Sequence, residues 1–247
     1  MEASLYSEEL PDQAVKRQPF RFFDLPVELR AKILGYLLFT DRVVDLDPNH
    51  HRLAHQCFNL FLVSRRFLDE ASHLFYSGNA FRIFPTHGRF FGHKTRPLLS
   101  RLSSRYRASL VSLELRLGPG WSSPPRSWRV HDALGLEEMA AVRILKVFVE
   151  CDPSHEIFRG FRIGKNFYTD FSVDLLEGIV ERLPALERVE FDGWPSVMRE
   201  GPLMRRLVEV AELGGKKVVQ LTPRESREEI CRALVLRARN VYSISPA

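Results

Sequence analysis

Leu110-Val111-Ser112-Leu113-Glu114-Leu115-Arg116-Leu117 is the stretch that decides the fold class of this chain. Apolar and polar side chains alternate along it, which predicts a β-strand with one buried face. It runs directly into residues 118–125, where glycine, proline and serine predict a loop on the surface. The segments on either side then decide how this strand is paired.

Helical and strand patterns alternate along the rest of the chain. Further strands are predicted at 79–85, 144–149, 186–191 and 217–221, and helices at 97–108, 136–142, 171–183 and 203–213. Gly214 and Gly215 supply a stop for the last of these helices. Because the strands are too far apart for hairpins, this order favours an α/β fold with a parallel sheet and helices packed on it.

The spacing of the strands fits an irregular leucine-rich-repeat-like β/α domain. The strands recur at intervals that are longer and more variable than the ~20 to 29 residues of ordinary leucine-rich repeats. A last helix is predicted at 225–240, with Ile230, Leu234, Leu236 and several arginines, and we expect it to cap the open end of the sheet.

Composition indicates an intracellular globular protein, in the cytoplasm, the nucleus or both. The 247 residues are 45% hydrophobic and 27% charged, and no apolar run approaches the ~20 residues of a membrane span. Residues 1–18 are polar and predict a disordered tail. Three widely spaced cysteines predict reduced thiols, and the net charge of +5 is too dispersed to predict nucleic acid binding.

Residues 22–38 predict a helix with more apolar surface than a solvated helix needs. We expect Asp24 to accept hydrogen bonds from the free backbone N–H groups and Pro26 to lie in the first turn. One apolar stripe collects Leu25, Leu29, Ile33, Tyr36 and Leu37, widened by Leu34 and Leu38, while Glu28, Arg30 and Lys32 lie off it. The stripe predicts a docking helix, with packing inside the molecule as the alternative.

Two segments near the amino terminus resemble the two halves of an F-box. Leu25-Pro26-x-Glu28-Leu29-x-x-x-Ile33-Leu34-x-Tyr36-Leu37 is similar to the first half and residues 60–67 to the second, and residues 69–84 resemble the segment after the motif in many fungal F-box proteins. Residues 40–56 form an insertion where a typical F-box has a short connector. The resemblance implies three regions: the tail at 1–18, an F-box-like helical module at 19–78, and a leucine-rich-repeat-like substrate-binding domain at 79–247.

The same resemblance implies a function that is not enzymatic. It implies a substrate-recognition subunit of a cullin-RING ubiquitin ligase that binds a Skp-type adaptor, needs no cofactor or metal, and selects a protein for ubiquitination. The residues that would contact the adaptor are Leu25, Pro26, Leu29, Ile33, Leu34, Leu37, Leu62, Val63 and Phe67.

Four aromatic or basic residues are candidates for the target-binding surface. Trp121 and Trp128 flank a loop that contains Arg126, and Trp194 stands before Pro195. Tryptophan and arginine are frequent anchors of protein interfaces. The alternative is that each tryptophan closes over the edge of the sheet. His50, His51, His55 and Cys57 have metal-ligand side chains but lack a second matched pair, so no metal site is predicted.

Two further hypotheses remain open at this point. In one, the chain is a protein-binding scaffold whose F-box-like helices only cap the repeat domain. In the other, it is an enzyme with a dispersed active site around residues 121–129.

Overall fold

A computed structural model describes residues 20–45, 59–86, 96–120, 122, 124–125, 127–161 and 164–220. The α-helices that lie wholly within these ranges are α1 (Val27–Leu38), α2 (Arg65–Gly78), α3 (Ser104–Ala108), α4 (Phe167–Arg182) and α5 (Pro202–Leu213). The strands are β1 (Ala80–Arg82), β2 (Ser112–Leu117), β3 (Ile144–Val149), β4 (Arg188–Gly193) and β5 (Lys217–Gln220).

The five strands form one parallel sheet in the order β1-β2-β3-β4-β5. Each strand therefore lies beside its neighbour in sequence, with helical or irregular segments returning the chain between them. The register aligns Phe81, Leu113, Leu145, Val189 and Val218 in a single row across the sheet. The predicted α/β class with a parallel sheet is confirmed.

The two faces of the sheet differ in chemistry. One face carries the aligned row and the residues two positions further along, including Leu115, Val147 and Phe191, and these belong to a hydrophobic cluster that extends from α1 to α5. The residues between these positions point to the opposite face, because successive side chains along a strand alternate between the two faces of the sheet. Helices therefore cover the first face, and the second face is built mainly from polar side chains.

Ion pairs run across the polar face. Arg82 bridges Asp45 at 2.7 Å and Glu114 at 2.9 Å, and all three side chains are at most 10% exposed. Lys146 of β3 pairs with Glu190 of β4 at 3.9 Å, and Arg188 contacts the same carboxylate along β4 at 2.6 Å. Because opposite charges face one another across the strands, this face stays polar without leaving these side chains unpaired.

The first residues of the 40–56 insertion lie along the outer edge of β1. The backbone N–H of Val44 donates to the carbonyl of Ala80 at 2.8 Å, and the N–H of Arg82 donates to the carbonyl of Val44 at 2.9 Å. Together with the Asp45–Arg82 pair, these bonds cover an edge that would otherwise expose unpaired backbone groups.

Several predicted elements have different bounds in the structure. The helix predicted at 97–108 is wrong, because Leu102 and Ser103 adopt extended backbone between a 3-10 turn at Leu99–Arg101 and the short α3. The helix predicted at 136–142 shrinks to a 3-10 turn at Leu136–Glu138, which follows the left-handed Gly135. The strand at 79–85 is shorter than predicted, and α4 begins four residues before the predicted 171.

Other predictions lie outside the described residues. These are the tail at 1–18, the insertion beyond residue 45, the helix at 225–240, and the loop residues Trp121 and Arg126. The domain boundary at 78/79 stays a prediction. Within the described residues, no helix is both long enough and apolar enough to cross a bilayer.

Candidate protein-docking surface

Helix α1 is apolar on two sides, and only one of them is buried. Ala31, Leu34 and Leu38 face the core and are at most 6% exposed. The opposite side chains are 40% to 78% exposed; they are Leu29, Ile33, Tyr36 and Leu37. We call these four residues the outer face of α1. Contiguous apolar surface of this kind marks an interaction site more often than scattered single residues do.

An ion pair between the buried Arg30 and the half-buried Glu70 fixes the orientation of α1 on α2. Arg30 donates from Nε and Nη2 to the two carboxylate oxygens of Glu70 at 2.7 and 2.9 Å, and from Nη1 to the carbonyl of Leu25 at 2.5 Å. Burial alone would raise the pKa of Glu70, but hydrogen bonds from Arg30 and Arg66 outweigh it and lower the pKa below its usual value. The pair holds the inner side of α1 against α2, and the outer face consequently points away.

The carboxyl ends of the two helices are joined by close packing and by one amide. The ring of Phe39 lies against Gly35 and Gly78, where neither residue has a side chain. Asn79, which is 1% exposed, donates from Nδ2 to the carbonyls of Leu38 and Phe75 and accepts from the N–H of Thr40. These contacts satisfy backbone groups at the ends of both helices.

An aromatic cluster closes the amino end of the helix pair. Phe67 stacks on Phe22 with ring centroids 5.0 Å apart and meets the edge of Phe23 at 4.8 Å. Leu62 and Val63 lie in the turn just before α2 and are both exposed. The exposed apolar residues of the turn therefore belong to the same helix pair as the outer face of α1.

The structure corrects three expectations about this region. Leu34 is 1% exposed and belongs to the core, so it offers no free surface. Phe67 is half-buried by its ring contacts with Phe22 and Phe23, which leaves only part of its side chain accessible. Asp24 does not cap α1, because it lies in a 3-10 turn and pairs with Arg21 at 2.8 Å. The N-cap position of α1 is taken by Pro26, which has no side chain that could accept a hydrogen bond.

The remaining predicted adaptor residues stay accessible to different degrees. Pro26 is exposed and Leu25 is half-buried. Leu29, Ile33, Leu37, Leu62 and Val63 are all exposed. Their role in binding an adaptor stays a prediction.

A second exposed cluster lies at the carboxyl ends of β3 and β4. Trp194 is 52% exposed and meets Phe148 edge to face, with the ring centroids 5.7 Å apart. The guanidinium of Arg116 lies 5.0 Å from the centre of the Phe148 ring, a cation–π geometry. Trp194 also lines a pocket of about 240 Å³, together with Asp192, Arg199 and Gln220. The pocket has room for a side chain of a partner rather than for a drug-sized ligand.

The other candidate target-binding residues have different outcomes. Trp128 is 1% exposed and stacks on Phe84, with the ring centroids 5.4 Å apart, so its assignment to the target-binding surface is wrong. Its ring belongs to the hydrophobic core. Trp121 and Arg126 lie outside the described residues.

Sequence reasoning missed Phe148 and Arg116, which are half-buried beside the exposed Trp194. Both occupy strand positions that alternate with the buried Val147, Val149, Leu115 and Leu117. The period of two places them on the polar face, and this signal was present in the sequence.

Titratable groups in the structure give little indication of nucleophilic chemistry. Burial, with Glu150 and Asp152 nearby, raises the pKa of the Cys151 thiol to about 11, so the thiol stays protonated at neutral pH. Burial also raises the pKa of Tyr168, whose hydroxyl accepts a hydrogen bond from the N–H of Gly118. Within the described residues, no three histidine, cysteine, aspartate or glutamate side chains are grouped so as to hold a metal ion.

Comparisons with known proteins return no match. Neither the family models, nor the curated proteins, nor the solved structures contain one that is similar to this chain.

Proposed function

We propose that this chain is an F-box-type substrate receptor that binds a Skp-type adaptor through the outer face of α1, together with Leu62 and Val63. The observation that carries the proposal is that α1 has apolar side chains on two opposite sides, of which only one is buried. A helix whose inner side already packs in the core has no internal use for four more apolar side chains. Their burial by a helical partner would resemble helix-in-groove recognition.

Our proposed surface for the target protein is the end of the polar face at which Trp194 is exposed. The helices cover the other face, and the cluster of Arg116, Phe148 and Trp194 combines the residue types that anchor protein interfaces. This division leaves the adaptor and the target on different parts of the molecule. In this proposal the chain performs no chemistry, and it brings its target to a ligase.

A binding experiment with a fungal Skp-type adaptor tests the first half of the proposal. We expect the wild-type chain to bind and the variant with Leu29→Asp and Ile33→Asp to lose at least about thirtyfold in affinity, because two interface anchors are each worth about 1–2 kcal/mol. Isothermal titration calorimetry with purified proteins measures the affinity. Wild-type protein that does not bind the adaptor would overturn the proposal.

The matched control makes the same chemical change elsewhere. Phe161 and Leu213 are also exposed apolar residues, and neither belongs to the helix pair. The variant with Phe161→Asp and Leu213→Asp should bind the adaptor as tightly as the wild type. Both double variants should melt within a few degrees of the wild type, because surface substitutions usually change stability by about 0.5 kcal/mol or less.

A second candidate function is a scaffold whose helix pair only caps the sheet. It is favoured by the contact between the two parts: Tyr76 of α2 stacks on Phe81 of β1, with the ring centroids 5.5 Å apart, inside one continuous hydrophobic cluster. If Leu29→Asp and Ile33→Asp unfold the chain in the absence of any partner, the scaffold hypothesis is supported instead.

A further inference from the structure

The pocket beside Trp194 is formed by side chains that the fold holds in place. Phe191 of β4 and Met204 of the first turn of α5 line it, and both side chains are buried. Gln220 lines it from the last position of β5. The pocket therefore lies at the carboxyl ends of two paired strands, with apolar side chains of the core contributing to its wall.

The loop after β4 supplies the exposed wall of the pocket. The backbone N–H of Trp194 donates to the carbonyl of Val149 at 3.0 Å, which ties the start of the loop to β3. The N–H of Val197 donates to the carbonyl of Trp194 at 2.9 Å, and the N–H of Gly201 donates to the carbonyl of Met198 at 2.9 Å. Because these bonds hold the loop, the wall is formed before a partner binds, which lowers the cost of ordering it.

The charges around the pocket favour an uncharged occupant. The described lining contains one acidic and one basic residue, Asp192 and Arg199, whose charges are opposite. A charged side chain that entered the pocket would lose its hydration and would lie beside one charge of its own sign. An uncharged side chain avoids both costs, so the lining selects against lysine, arginine, aspartate and glutamate.

The apolar lining favours an aromatic ring over an aliphatic chain. Trp194 presents the exposed indole ring of the wall, and aromatic pairs gain stability beyond the area that they bury. Met204 adds a thioether, which also makes favourable contacts with aromatic rings. The volume of about 240 Å³ lies below the ~300–1,000 Å³ of small-molecule pockets and suits one side chain.

We propose that this pocket binds one uncharged aromatic side chain of the target protein. That the ring belongs to a target rests on the proposed function, whereas the preference of the pocket for such a ring follows from its lining alone. The side chain would enter beside Trp194 and would anchor the target on this end of the sheet.

A nuclear magnetic resonance titration tests the preference without the adaptor or a target. The signal is the methyl group of Met204 in protein with isotope-labelled methionine, and the buried Met139, which does not line the pocket, is the internal reference. The probe is p-cresol, the side-chain analogue of tyrosine. We expect a saturable shift of the Met204 signal with a Kd of about 1–10 mM, the range of a weakly bound fragment.

Three analogues of similar size separate the contributions of charge and of the ring. We expect p-toluate and p-methylbenzylammonium, which carry a charge, to bind at least about tenfold more weakly than p-cresol, and methylcyclohexanol at least about threefold more weakly. Arg199→Gln leaves only the charge of Asp192 in the described lining, so it should strengthen the binding of p-methylbenzylammonium. Asp192→Asn should strengthen the binding of p-toluate for the corresponding reason.

A pair of aromatic variants locates the bound probe. Trp194→Ala should weaken the binding of p-cresol at least about threefold, whereas Phe161→Ala, at an exposed ring that does not line the pocket, should leave it unchanged. An unchanged Met139 signal establishes that each variant is folded.

The proposal is overturned if p-cresol produces no saturable shift of Met204, which is also the result expected if another segment of the chain fills the pocket. Equal affinities for p-cresol and its charged or saturated analogues, or equal effects of the two aromatic variants, would overturn it as well. None of these results bears on adaptor binding, which the calorimetric experiment measures separately.

Discussion

Gly78 is the residue on which the packing of the helix pair depends most closely. A Cβ atom at this position would lie 2.1 Å from Cε1 of Phe39, and the other side of that ring already lies 3.0 Å from the Cβ position of Gly35. The ring has no room to retreat between the two glycines. The close approach of the helix ends therefore requires glycine at position 78.

We predict that Gly78→Ala destabilises the protein by about 1–3 kcal/mol, the usual cost of overpacking a tight contact. Urea denaturation measures the difference. Gly160→Ala is the control, because a Cβ atom there would meet nothing within 4 Å. A Gly78→Ala variant as stable as the Gly160→Ala variant would show that Phe39 does not pack between the helices.

The Arg30–Glu70 pair makes stability depend on pH in a definite direction. The pKa of Glu70 is lower in the folded protein than in the unfolded chain, where it is about 4.3. The ionised carboxylate therefore contributes fully to the free energy of unfolding above about pH 4.3, and this contribution is lost as the pH falls through the folded pKa. We predict that Glu70→Gln costs about 1–3 kcal/mol at neutral pH.

The difference between wild type and Glu70→Gln should shrink as the pH is lowered below about 4. Chemical denaturation at a series of pH values measures it. Glu181→Gln, at an exposed position of α4, should show a much smaller difference at every pH. A Glu70→Gln difference that is constant with pH would contradict the role of the charged pair.

At the scale of elements, Asn79 joins α1 and α2 to β1. We predict that Asn79→Asp destabilises the protein by about 2–5 kcal/mol, because the carbonyls of Leu38 and Phe75 both lose a buried donor and then face a carboxylate. Guanidinium denaturation measures the change. Asn166→Asp is the matched control, since Asn166 is the exposed N-cap of α4 and negative charge is favourable there. Similar losses of stability in Asn79→Asp and Asn166→Asp would contradict the claim that Asn79 holds the ends of α1 and α2 together.

The elements that sequence patterns predicted best are those with a strong period. The strand at 144–149 and the helix ending before Gly214 and Gly215 have nearly the predicted bounds, because alternation and a left-handed glycine are local signals. The prediction of one helix at 97–108 was wrong because the apolar residues that gave this segment its helical spacing are divided between a 3-10 turn and α3. Spacing alone does not reveal the extended residues between them.

The candidate surfaces were harder to predict than the fold. The apolar stripe of α1 was visible in the sequence, but its division into an outer face and a buried side depends on where α2 lies. The burial of Arg30 depends on Glu70, which is distant in sequence, and the burial of Trp128 depends on Phe84. Partners that are far apart in the chain leave no periodic signal.

At the scale of the whole molecule, strand order and face chemistry divide the surface into two regions. Helices cover one face of the sheet, and on the other face Arg82, Glu114 and Glu190 are buried, whereas Trp194 is exposed just after β4. The helix pair closes the β1 end, where Val44 covers the edge. The outer face of α1 and the cluster around Trp194 are consequently available at the same time.

Amide hydrogen exchange of the full-length chain, with and without a Skp-type adaptor, tests the central claim most directly. We predict that the adaptor slows exchange in residues 25–38 and 59–64 and leaves β4 and the segment around Trp194 unchanged. Slower exchange confined to the sheet, or no change anywhere at saturating adaptor, would contradict the assignment of the outer face of α1 as the docking surface.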